Sequence, residues 1–102
     1  MAVSDESALA PLRAEIDAID AEIVALLGRW MAVVEQVLAI KHREGIAALL
    51  PSRVEEVVRK VRKTAEETDV PPALAETVWR AMIRWVVAYE EGRLGERRPS
   101  GS

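Results

Sequence analysis

The chain has no cysteine and a single histidine, His42. The first absence removes disulfides and thiolate chemistry, and the second leaves no histidine-based metal site. Positive charge is not in excess either: 14 Lys and Arg against 17 Asp and Glu give a net charge of −3, so bulk electrostatics invite neither nucleic acid nor an anionic membrane. An anionic ligand would have to be held by a local basic cluster. Met1 to Pro11 lacks the basic and apolar regions of a secretory signal, and no unbroken apolar run approaches the ~20 residues of a membrane span. A soluble, cytoplasmic protein is the expectation. Strand-type alternation, internal repeats and an interdomain linker are also missing, so the 102 residues read as one helical domain with a modest core.

What is present is organised around Leu12 to Arg43. Leu12, Ile16, Ile19, Ile23, Leu26, Trp30, Val33, Val37 and Ile40 alternate steps of four and three, which is the seam of a coiled coil. Thirty-two residues of helix extend roughly 48 Å, whereas a domain of this size has a radius of gyration of about 13 Å. A helix that outruns its domain needs a partner helix, and a second copy of the chain supplies one most simply. The expectation is an intertwined homodimer. Pro11 is placed to open the helix and Gly45 to stop it, with residues 1–10 flexible ahead of it. Asp17, Asp20 and Glu22 early in the helix, and Lys41, His42 and Arg43 at its end, follow the order the helix dipole favours.

The connection Glu44 to Pro51 is apolar for an exposed loop and is expected to pack over something, as a lid would. Ser52 and Glu55 form a capping-box pattern, and Val54, Val57, Val58 and Val61 give a second helix one apolar face. Its charged residues from Glu55 to Lys63 read as a solvated face. Asp69-Val-Pro-Pro72 breaks the chain, and a third helix opens at Pro72 and runs to Gly92 or Gly95. Its apolar stripe takes in Leu74, Val78, Met82, Trp85 and Tyr89, widened by Trp79, Ile83 and Val86. Residues 11–95 form the domain, and 96–102 a disordered tail.

Four ionisable residues sit where a plain bundle would not need them: Arg13, Lys41, Arg53 and Glu90. Arg13 and Lys41 flank the seam in one heptad column, roughly 42 Å of helix rise apart, so an antiparallel partner would have to bring them into a common pocket. Taken alone, each reads as a flanking charge that snorkels to water; taken together, they point to a site. Glu90 ends the row Trp79, Ile83, Val86, Glu90. A carboxyl buried there is expected to stay protonated and donate a hydrogen bond, whereas at a frayed helix end it would simply reach water.

The run Leu12-Arg-Ala-Glu-Ile-Asp-Ala-Ile-Asp20, the later Lys41, the Pro51-Ser-Arg53 entry to the second helix and the acidic residue near the end of the third resemble the all-helical (AroQ-type) chorismate mutases. The resemblance covers about residues 9–94. It implies an all-α, three-helix chain forming an intertwined homodimer with two pockets, each lined by both chains. It also implies that Arg13 reaches the partner's pocket to bind a substrate carboxylate, that Lys41 lies near the ether oxygen and the enolpyruvyl carboxylate, that Arg53 lies by the lid as a further substrate-binding residue, and that Glu90 hydrogen-bonds the ether oxygen. A Claisen rearrangement of chorismate needs no cofactor, only a folded substrate and stabilisation of charge on that oxygen.

Three positions depart from the family pattern. Trp30 stands where a second helix-one arginine is usual, and Leu50 and Val54 stand where acidic side chains usually approach the ring hydroxyl. Val54 is similar to the isochorismate-pyruvate lyases that share the fold. The leading expectation is chorismate to prephenate. The alternatives are an isochorismate-pyruvate lyase, a mutase for 4-amino-4-deoxychorismate, and a member that is non-catalytic or activated by a synthase partner, with Trp30 filling the site.

Overall fold

The computed structural model describes residues 3–95, with side chains from residue 7 onward. They form three helices, α1 (Val3–Glu44), α2 (Pro51–Glu67) and α3 (Pro72–Leu94), and no strand occurs among them. The chain divides into two units, Met1–Val37 and Leu38–Ser102.

In the first unit, α1 starts at Val3 rather than at Pro11, so the flexible segment expected over residues 1–10 is helical from residue 3. Pro11 lies inside the helix and lacks the N–H that would bond the Ser7 carbonyl, but Ala8, Leu9 and Ala10 are good helix formers on its N-terminal side. The seam residues Leu12, Ile16, Ile19, Ile23, Leu26 and Val33 are each more than half exposed, and Trp30 alone of the seam up to residue 33 is half-buried. The sequence expectation about membrane spans also needs correcting. Although no apolar run is unbroken, Ser7–Glu44 is long and apolar enough to cross a membrane by length and composition, because few charges interrupt it after Glu22. Its period of 3.5 is the pattern of a helix that packs on other helices.

The second unit builds its own core by packing α2 on α3. Val58 and Ala65 of α2, Ala75 and Val86 of α3, Leu38 and Ala48 are buried. Ala65 and Ala75 flank the turn between the two helices, where small side chains suit a close approach. On α3 the inward face is Ala75, Trp79, Ile83, Val86 and Glu90, while Leu74, Val78 and Trp85 are exposed. Met82 and Tyr89 of the stripe expected from the sequence are half-buried as well, so the buried face is shifted towards the row that was to widen that stripe. Helix α3 is apolar on both sides, so its periodicity allows either phase.

Left-handed residues end the helices. Gly45 (φ 69°) follows α1, and the Ile46 N–H bonds the Lys41 carbonyl at 2.9 Å. Asp69 (φ 59°) follows α2, with the Val70 N–H on the Ala65 carbonyl at 2.9 Å, the same six-to-one closure with aspartate in the glycine's place. The expected Ser52–Glu55 capping box does not form. Helix α2 begins earlier, with Leu50 as N-cap and Pro51 in the first turn, and no side chain caps it. Glu55 instead accepts both terminal nitrogens of Arg80 on α3, at 3.1 and 3.0 Å. Arg80 Nε also donates to Glu76 at 2.7 Å, and Arg62 of α2 donates to the other Glu76 oxygen at 2.7 Å. The charged side of α2 is therefore partly a clasp onto α3 as well as a solvated face.

Candidate active site

Lys41 lies in the last turn of α1, and Glu90 lies four residues before the end of α3. The fold brings them together: Lys41 Nζ donates to Glu90 Oε1 at 2.9 Å. Both side chains are withdrawn from water, with 13% and 4% of their surfaces exposed. Glu90 is the buried charged residue of the core, in line with its place at the end of the Trp79, Ile83, Val86 row. It is not at a frayed end, since α3 continues to Leu94. Glu90 Oε1 accepts the Lys41 ammonium proton, since an ammonium group has only protons to offer.

Lys41 is also tied to the loop between α1 and α2. Its Nζ donates to the Ala48 carbonyl at 2.8 Å, while its own carbonyl accepts the Ile46 N–H. Residue 41 thus holds the loop through both main chain and side chain. Ala48 is buried beneath it, whereas Leu49 and Leu50 turn outward, so the loop packs inward through only part of its length. Among the described residues no buried side-chain nitrogen or oxygen is left wholly without a partner.

Arg53 stands on the first turn of α2 and is exposed; its Nη1 donates to Glu56 Oε1 at 2.9 Å. The other oxygen of Glu56 lies 3.5 Å from Lys60 Nζ. Hydrogen bonding from Arg53, followed by the charge of Lys60, holds the Glu56 carboxyl below its usual range. Leu50 contributes backbone, its carbonyl accepting the N–H groups of Arg53 and Val54 at 3.0 and 3.1 Å. Val54 is half-buried and lines a groove of about 410 Å³ with Leu49, Ile83, Val87 and Arg84. Arg13 and Trp30 belong to the first unit, where Arg13 is exposed and Trp30 half-buried.

Two partners of these residues escaped the sequence reading. Glu56 carried a signal, its i,i+3 spacing from Arg53, whereas the Ala48 carbonyl carried none because backbone groups leave no mark in composition. Among the described residues no three His, Cys, Asp or Glu side chains gather into a group that could hold a metal ion.

A three-helix chain in which a lysine closing the first helix meets a buried acid near the end of the third is an all-α member of a known class. The chain belongs to the chorismate mutase type II family, whose model matches residues 12–91. It is 36% identical to the T-protein of Enterobacter agglomerans over 76 residues and 34% identical to that of Haemophilus influenzae over 83, covering 74% and 81% of this chain. The chain spans only about a fifth of those relatives' own length, 20% and 22%. It is 33% identical over 86 residues to the isochorismate pyruvate lyase of Pseudomonas aeruginosa, and there the match takes in 84% of each chain.

Proposed function

We propose that this chain is a cofactor-free enzyme of chorismate chemistry, working as a homodimer with shared pockets, and that its leading reaction is chorismate to prephenate. The observation that carries the reading is the held ammonium of Lys41. Of its three N–H donors, one goes to Glu90 and one to the Ala48 carbonyl, which leaves one for an incoming oxygen. In the Claisen step a C–O bond breaks as a C–C bond forms within one molecule, and no proton or group leaves. The charge that gathers on the ether oxygen is what a fixed, partly desolvated donor stabilises. The exposed seam of α1 supports the dimer, since burying one such side chain contributes ~1.5–3 kcal/mol. Arg13 of one chain would then meet a substrate carboxylate in the pocket of the other.

A second reading, isochorismate-pyruvate lyase, is favoured by the relative of that name, which matches over 84% of both chains, and by Val54 directly after Arg53. The test is one assay with two substrates. Purified protein is given chorismate and isochorismate separately, and prephenate, salicylate and pyruvate are measured. Prephenate from chorismate supports the leading reading, salicylate with pyruvate from isochorismate supports the second, and turnover of neither removes both in favour of an analogue substrate or a non-catalytic role.

A further inference from the structure

Gly45 to Leu50 join α1 to α2, and Ala48 is where this loop meets the core: it is 3% exposed, while Ala47, Leu49 and Leu50 around it face outward. Ala48 buries only a methyl group, so its side chain gives the loop little purchase. The stronger hold is polar. Lys41 Nζ donates to the Ala48 carbonyl at 2.8 Å and to Glu90 Oε1 on α3 at 2.9 Å. Two donors fixed on two acceptors, in a site largely closed to water, leave the long lysine side chain one direction to point. Without the carboxylate, the ammonium would gain by turning out to solvent, as lysine side chains do.

We infer that Lys41 and Glu90 form a strap for the α1–α2 loop: the carboxylate on α3 aims the ammonium at the Ala48 carbonyl, and the ammonium holds the loop down. Glu90 is thus a positioning residue for a segment it does not touch. The strap concerns the loop alone and holds whatever the site binds. Lifting Ala48 means breaking a charge-assisted bond in a place withdrawn from water, where such bonds are strongest. The turn at the other end of α2 offers the contrast. It is closed by the same backbone bond, Val70 N–H on the Ala65 carbonyl at 2.9 Å against Ile46 N–H on the Lys41 carbonyl at 2.9 Å, yet Asp69 and Val70 are exposed and the strap does not reach them.

The test is amide hydrogen exchange followed by NMR on the full chain, read as the ratio of the Ile46 rate to the Val70 rate. Wild type is compared with Glu90→Gln and with the double variant Lys41→Met/Glu90→Gln, which removes both charges and so strands neither, after circular dichroism has established that all three are folded. In the double variant the ratio should rise about tenfold or more, the factor expected when a hydrogen bond to a charged group is lost from a local opening. In Glu90→Gln, where the ammonium keeps only a neutral acceptor on α3, it should rise about threefold. Equal acceleration at Ile46 and Val70 would mean general loosening and would overturn the strap, as would an unchanged ratio in the double variant. If the double variant raises the ratio but Glu90→Gln leaves it at the wild-type value, Lys41 holds the loop without being aimed, and the positioning role of Glu90 is overturned.

Discussion

The two units of this chain treat their apolar residues in opposite ways. In the second, α2 and α3 cover each other, and the buried carboxylate of Glu90 meets an ammonium from the same chain. In the first, the regular stripe from Leu12 to Val33 lies mostly open. A single helix cannot fold back to cover its own stripe, and isolated helices are marginal in water. The comparison shows that regular sequence patterning and self-sufficiency are different properties. The less regular half of the chain carries its own core, while the more regular half leaves most of its stripe exposed.

The largest effect should come from breaking the closed half at its buried pair. Lys41→Met would leave Glu90 buried without its cation, and chemical denaturation should show a loss of about 3–5 kcal/mol. Adding Glu90→Gln should recover much of it, since the stranded charge is then gone. A loss below about 1 kcal/mol would mean that Glu90 reaches water in solution.

The open half is probed by Ile23→Asp on the seam, with Val24→Asp beside it as a control. Both residues are exposed in the single chain, yet only Ile23 lies on the 3.5-residue stripe. If a second copy covers the stripe, Ile23→Asp forfeits ~1.5–3 kcal/mol of burial and shifts sedimentation from dimer towards monomer, while Val24→Asp does not. A wild-type protein that is a folded monomer at micromolar concentration would remove the dimer and the shared pocket together.

Trp30→Arg tests the proposed carboxylate site. If that reading holds, a guanidinium at position 30 should tighten chorismate binding about tenfold by a charged hydrogen bond. Sedimentation and denaturation should accompany the titration, because a charge on the seam also weakens assembly. A folded dimer with no gain in affinity would show that Trp30 does not occupy a vacated carboxylate site.

The smallest effect belongs to the clasp on the surface of the closed half. Arg80 holds the Glu55 carboxyl below its ordinary value of 4.5, and Arg80 followed by Arg62 does the same for Glu76. Because the folded values are depressed, this stabilisation is complete above pH 4.5 and is lost as pH falls through the lower folded values. The melting temperature should therefore drop more steeply below pH 4.5 in wild type than in Arg80→Met. Parallel curves would mean that the clasp contributes nothing measurable.

Much of the fold was legible because its punctuation is local. Gly45, Pro72 and Gly95 mark helix limits by backbone chemistry alone. Pro11 misled for the same reason: it is a strong opening signal, yet the small residues ahead of it are also helical. The buried face of α3 was not legible, because both of its sides are apolar and the choice is made by α2. Buried alanines at 48, 65 and 75 offered no signal at all, being small enough to fit anywhere. At the site, the row ending in Glu90 announced a buried carboxyl, but not its partner 49 positions away. That partner, Lys41, lies on another helix, so no local spacing could have joined the two.

The pre-engaged cations have a further consequence, for selectivity among ordinary anions. Lys41 and Arg53 each carry a carboxylate of the chain before any ligand arrives. Chloride, acetate or inorganic phosphate meeting either group finds its charge already answered by a hydrogen-bonded neighbour. A single weak anion has little to gain by displacing it. The proposed ligand, with two carboxylates and an ether oxygen, would trade for several such contacts at once, so on that reading the arrangement would favour it over chloride or acetate.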